Sequence, residues 1–300
     1  MQGSRNYQVM FLAIRTGKVP ETGRRIALRA PAAKKSYVKF ISPATCNGEN
    51  IVQWFSQGKF EVRLEWGLSA VEHLAGEVDC AVIVDVMSFS TCVSLAVNNG
   101  ACIYPYPWKD ASAIEYGMKI GASTASLDRR FSGEGYSLSP ASIRNISDGE
   151  KLVLPSPNGS AVSFKARDAG IAVFSGCFRN MSATANACRS FGRVLVIPCG
   201  ERWPDGSLRP CIEDYVASGG IIAAMARENC SPEAQAAVAA WQHYQKQNLE
   251  LLRECSSALE LTQRGFDEDV NLCLEIDKSK KECRLWGDAY VSALARKSSS

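Results

Sequence analysis

The sequence predicts an α/β protein, and three observations carry the prediction. Short runs rich in β-branched and other apolar residues recur along the chain, each followed by a turn and then by helical sequence, the alternation of a layered α/β fold. One run, CAVIVDV at residues 80–86, is apolar except for its acid and suits a strand covered on both faces. Finally, 300 residues with 46% hydrophobic and 22% charged content can bury a sizeable core, and that composition excludes a disordered, collagen-like or coiled-coil chain.

The elements follow in order. Residues 1–58 read as a basic extension: residues 1–40 hold nine Lys or Arg against one acid, Glu21, which leaves 25 against 30 in the remainder. The net charge of +3 is therefore an N-terminal property. Only residues 37–42 resemble a strand there. The α/β domain is expected over residues 59–297. FEVRLEW from Phe60 alternates as a half-buried strand, and SAVEHLA from Ser69 reads as a short helix with Ser69 as its cap. After CAVIVDV, the hydroxyl-rich SFSTCVSLAVNNG opens a helix that closes at Asn99 and Gly100. Further strands fall at residues 101–104, 151–154, 171–174 and 193–197. The Ser/Gly-rich residues 121–149 read as an ordered active-site loop, because they carry charged and aromatic side chains. Residues 232–264 read as one or two helices whose stripe of Ala237, Ala240, Trp241 and Tyr244 packs on the core.

Composition narrows the function. No apolar run approaches the ~18 residues of a membrane span, and the acidic body is unsuited to nucleic acid, so a soluble cytoplasmic protein is expected. Twelve cysteines without a CxxC pair read as reduced, buried, small apolar residues. The only histidines, His73 and His243, are too few for a His-rich zinc or binuclear site or for a histidine nucleophile. GxxxxGK[ST], GxGxxG, HExxH and GxSxG are missing, and no cysteine has Arg six positions on, which disfavours the chemistries those patterns serve.

Three strand ends remain as candidates. Asp85 ends an apolar strand, and Ser88, Ser90 and Thr91 stand where the next helix begins. Open α/β sheets bind ligands outside the carboxyl ends of their strands, and helix starts offer N–H groups to anions. Asp85 and Ser90 serve equally well as plain helix caps on spacing alone. LVLPSPNGSAV places Asn158, Gly159 and Ser160 after a buried strand, either as a simple turn or as an oxyanion cradle. CGERWPDGSLRPCIEDYVASGG brings Glu201, Arg202, Glu213 and Asp214 after a third strand, where the last two also suit a helix dipole. Acids and hydroxyls without histidine suit a hard cation and an oxyanion ester.

Four segments, VIVDVMSFSTCVSLAVNNGA, VLPSPNGSAV, CGERWPDGSLRPCIEDYVASGGII and RGFDEDVNLCLEID, resemble in order the signatures of the 2-phosphosulfolactate phosphatase family, in the wording of a bacterial side branch. The resemblance runs from about Phe60 to Asp277. It implies a three-layer α/β/α fold with a mixed sheet, and Mg²⁺-dependent hydrolysis of phosphate monoesters of small 2-hydroxycarboxylic acids. Asp85, Glu213 and Asp214 are then the expected metal and acid/base residues. Ser88, Ser90, Thr91, Asn158, Gly159 and Ser160 are expected to cradle phosphate, with Glu201 beside them, while Arg129 and Arg202 pair with phosphate or carboxylate. A small phosphate ester is the expected partner, with neither nucleic acid nor membrane, and a homo-oligomer is left open. A catalytically silent phosphate- or acid-binding module on the same scaffold is the alternative.

Overall fold

The computed structural model describes residues 53–129 and 135–292. The first half runs β1 (Val62–Leu64), α1 (Gly67–Leu74), β2 (Cys80–Val84), α2 (Phe89–Asn98), β3 (Cys102–Tyr106), α3 (Ala111–Ile120), β4 (Ser123–Thr124) and α4 (Pro140–Ile143). Next come β5 (Lys151–Pro155), α5 (Gly159–Asp168), β6 (Ala172–Gly176), α6 (Met181–Cys188), β7 (Val194–Pro198), and a small hairpin of β8 (Glu201–Arg202) and β9 (Leu208–Arg209). The chain then passes through α7 (Ile212–Met225), α8 (Pro232–Tyr244), α9 (Ser256–Gln263) and α10 (Asp267–Cys273) to a second hairpin, β10 (Cys283–Trp286) and β11 (Ala289–Val291).

Among the described residues, nine strands form one mixed sheet in the order β1-β7-β2-β6-β10-β11-β3-β5-β4. The strands β1, β7, β2 and β6 are mutually parallel, as are β3, β5 and β4. The antiparallel hairpin β10–β11 is inserted between these halves and pairs antiparallel with both. Taken along the pairings, the two parallel halves run in opposite directions. The segments that follow β2 and β5 nevertheless meet, where the Gly159 N–H reaches the Asp85 carboxylate.

Both sheet faces are covered, which gives the three layers. Along β2, Cys80, Val82 and Val84 pack with α7 and α8 through Val216, Ile221, Ala237 and Trp241, whereas Ala81 and Ile83 pack with Val71 of α1, Val93 of α2 and Val162 of α5. The two-residue alternation of a strand thus supplies both cores, which is why the run is apolar throughout. The helices start on local chemistry: the Ser231 side chain accepts from the Ala234 N–H with Pro232 in the first turn of α8, and Asp110 accepts from the Ser112 N–H to open α3. Close contact of α7 and α8 needs Gly219, since a Cβ there would lie 1.9 Å from the Ala237 carbonyl oxygen.

Several expectations shift. The described residues before β1, from residue 53, are fastened to the strand that follows. The reason is Arg63, a fully buried side chain that donates to the carbonyls of Ser56 (3.0 Å) and Phe60 (3.1 Å) and so fastens the segment before β1. The strand expected at residues 37–42 lies outside the described residues, as does the far C-terminal edge of the expected domain. Ser69 is not a cap, because α1 starts two residues earlier behind Trp66. Among the described residues the cysteines are free, and all but Cys102 are buried. No helix among them is long and apolar enough to cross a membrane.

Candidate active site

The ends of β2, β5 and β7 meet at Asp85. This carboxylate follows β2, is 6% exposed, and accepts two backbone N–H groups: Oδ1 from Phe89 at 3.3 Å and Oδ2 from Gly159 at 2.9 Å. The second bond crosses from β5 and requires a glycine, because a Cβ at Gly159 would stand 2.2 Å from the Phe89 ring and 2.8 Å from Asp85 Oδ2. The neighbouring Asn158 donates its side-chain amide to Glu201 Oε2 at 2.8 Å, so one turn holds both acids. Burial, and then the charge of Glu201, pushes the Asp85 carboxyl up to about 7 despite its two N–H donors. Burial raises Glu201 as well.

A cavity of about 180 Å³ opens on this pair, with Ser88, Lys109, Arg129 and Asn158 in its wall and Glu260 and Arg264 across it. Arg129 reaches in from the Ser/Gly-rich loop and donates Nη2 to Ser88 Oγ at 2.9 Å. Burial, and then the guanidiniums of Arg129 and Arg264, push the Lys109 ammonium down, while Asp128 and Glu201 act in the opposite direction. The cavity thus combines the buried carboxylate of Asp85 and the half-buried one of Glu201 with Lys109, Arg129 and an Arg264 that is paired with Glu260 at 2.9 Å, a donor and acceptor set for an anionic ester.

Of the expected residues, Asp85, Ser88, Arg129, Asn158 and Glu201 line this cavity, and Gly159 joins it through its N–H. Ser90, Thr91 and Ser160 do not. Their hydroxyls donate to the carbonyls of Ile83 (3.1 Å), Val86 (2.8 Å) and Leu154 (2.9 Å), and all three residues are fully buried. They tie each helix start back to the preceding strand end and leave no hydroxyl proton for phosphate. Arg202 lines a neighbouring cavity of about 270 Å³ and donates to the Gly206 carbonyl at 3.1 Å inside the β8–β9 hairpin.

Glu213 and Asp214 also stand outside the cavity. Asp214 Oδ1 accepts from the Val86 N–H at 2.7 Å and Oδ2 from the Gly200 N–H at 2.9 Å, so the side chain clasps the two loops that carry Asp85 and Glu201. Burial, with Glu213 and Asp85 nearby, raises its carboxyl far above the usual range. Glu213 accepts from the Cys255 thiol at 3.4 Å. Adjacent helical residues diverge by about 100°, which turns one toward the strand ends and the other toward Cys255.

Sequence reasoning missed Lys109, Glu260 and Arg264. Lys109 was findable, since it follows β3 as Asp85 follows β2. Among the described residues, no three His, Cys, Asp or Glu side chains converge as a metal cage. Magnesium, however, is commonly held by one or two carboxylates with water and substrate oxygens completing the shell. Asp85, buried, and Glu201, half-buried and close enough to raise the Asp85 carboxyl, share one cavity and fit that requirement.

An α/β sheet whose strand ends gather acids and cations around one cavity defines an anion-handling enzyme scaffold. A sequence profile described as 2-phosphosulpholactate phosphatase matches residues 69–281, and the chain belongs to that family of phosphoric monoester hydrolases. It is similar to a probable 2-phosphosulfolactate phosphatase of Thermotoga maritima, 26% identical over 219 residues that cover 71% of this chain and 93% of the relative. A protein of the same description from Prochlorococcus marinus is 26% identical over 67% of this chain and 86% of its own length, and one from Microcystis aeruginosa is 22% identical over 66% and 86%.

Proposed function

We propose that the protein is a Mg²⁺-dependent phosphomonoesterase acting on a small acidic ester of the 2-phosphosulfolactate type. The observation that carries this reading is the one cavity that Asp85 and Glu201 share with Lys109, Arg129 and the Arg264–Glu260 pair. The relatives named above are described as acting on 2-phosphosulfolactate, which bears a phosphate, a carboxylate and a sulfonate, and three cations suit more than one anionic group. Arg129 and Arg264 would pair with phosphate or the second anion through planar contacts, and Lys109 would add a point charge. Asp85 and Glu201 would hold the magnesium ion. When bound, it would supply positive charge to the phosphoryl oxygens as the ester bond breaks. Asp85, fixed by two N–H donors, is the residue we assign to orienting the attacking group, and Asn158 keeps Glu201 from turning away.

Phosphate release from a panel of esters, with Mg²⁺ and with EDTA, tests the proposal. The expected result is EDTA-sensitive release, with kcat/KM roughly 10- to 100-fold higher for esters carrying a carboxylate or sulfonate than for a neutral aryl phosphate, the effect of one or more charge-assisted contacts. Equal rates on both classes would remove the second-anion reading. Phosphate binding without release from any ester would favour the silent binding module.

A further inference from the structure

The segment RGFDEDVNLCLEID places Arg264 on the cavity, yet its most buried acid, Asp269 of α10, is absent from the cavity wall. Asp269 is 1% exposed, and its two oxygens do different work. Oδ1 accepts from Ser139 Oγ at 2.7 Å and from the Ala141 N–H at 2.9 Å, which fastens the start of α4. Oδ2 faces Arg129 Nη1 at 3.7 Å, beyond hydrogen-bond length, and both atoms are buried without a hydrogen-bond partner. Meanwhile Arg129 Nη2 is fixed on Ser88 Oγ, and the Phe266 ring lies 5.5 Å from the guanidinium carbon. The guanidinium is thus held on three sides, while one of its N–H groups faces a negative charge that it does not bond. Arg129 and Ser88 both line the cavity, so a guanidinium steadied by Asp269 from outside the cavity wall keeps its Ser88 side toward an arriving anion.

We propose that Asp269 is a positioning residue that holds Arg129 at the cavity by charge alone, with Nη1 turned to Asp269 and Nη2, beside Ser88 in the cavity wall, presented to a phosphoryl oxygen of the bound ester. This rests on the phosphoester reading of the cavity. Fastening α4 needs only Oδ1; Oδ2 is surplus to that task, and its charge is what Arg129 meets. The C-terminal segment thereby acts on the site without touching substrate.

The test is the affinity of the full-length protein for inorganic phosphate, measured calorimetrically in the presence of Mg²⁺, in a double-mutant cycle of Asp269→Asn and Arg129→Ala. Asn keeps an amide oxygen for Ser139 and Ala141 and replaces the charged oxygen facing Arg129 by a neutral amide NH2. The expected result is about tenfold weaker phosphate binding in Asp269→Asn, with no further loss when Asp269→Asn is added to Arg129→Ala. Wild-type or tighter binding in Asp269→Asn, or the same loss in both backgrounds, overturns the proposal. Ser139→Ala removes a hydrogen bond on the other oxygen and is expected to keep phosphate affinity within twofold; a tenfold loss there assigns the effect to α4 and also overturns it. Arg129→Lys keeps the charge without the fork and gives a readout independent of whether position 269 tolerates change: at least a fivefold loss is expected, and wild-type affinity contradicts the proposal. If the unmodified protein binds no phosphate at all, the reading of the cavity falls together with this one, whereas normal binding that ignores Asp269 sinks the positioning role alone.

Discussion

At the scale of single residues, Asp85 sets the properties of the site. Its carboxyl stands at about 7 because burial and Glu201 oppose the charged form more strongly than two N–H donors favour it. A carboxyl raised on folding contributes its stability below its ordinary value and loses it as pH rises through the folded value. The metal-free protein should therefore lose on the order of 2–4 kcal/mol between about pH 4 and pH 8 from this group. Denaturant unfolding across that range checks it: Asp85→Asn should flatten the slope whatever its constant effect on stability, and an unchanged slope would place the Asp85 charge in solvent. Much of the site was legible at this scale. An acid closing an apolar run and an Asn-Gly turn after a buried strand both announced a strand-end site. The hydroxyls of Ser90, Thr91 and Ser160 were not legible, because a hydroxyl at a helix start can serve a ligand or the preceding strand's carbonyl, and residue type does not choose between them.

At the scale of elements, the strand ends are clasped by side chains drawn from distant helices. Asp214 in the first turn of α7 accepts from the backbone on either side, at Val86 and Gly200, and so sets the separation of Asp85 and Glu201. Replacing it with Asn sets an amide N–H against one of those donors and leaves a buried group unmet, at a cost of about 1–3 kcal/mol. Equilibrium unfolding of Asp214→Asn measures that cost; a change below about 0.5 kcal/mol would show that the clasp contributes nothing. The sequence placed two acids in this helix turn but not which way they faced, since one residue of rotation separates a ligand from a clasp. The β10–β11 hairpin went unread for another reason: its strands are short, and only the Gly287-Asp288 turn between RLW and AYV marked it.

At the scale of the whole molecule, that hairpin decides the architecture. By pairing antiparallel with β6 and β3, it joins two oppositely directed parallel halves into one sheet. Across that sheet, the segments that follow β2 and β5 meet at the Asp85–Gly159 bond. Strand and helix alternation foretold the layers, but the order of strands depends on pairings far apart in the chain and left no local mark. The central claim is that this convergence builds a phosphomonoesterase site on Asp85. The measurement that tests it most directly is the rate of phosphate release from 2-phosphosulfolactate, with saturating Mg²⁺, by the wild-type protein and by folded Asp85→Asn. The account predicts turnover by the wild-type protein and a loss of roughly 10²- to 10⁴-fold in the variant; wild-type turnover in Asp85→Asn would contradict it.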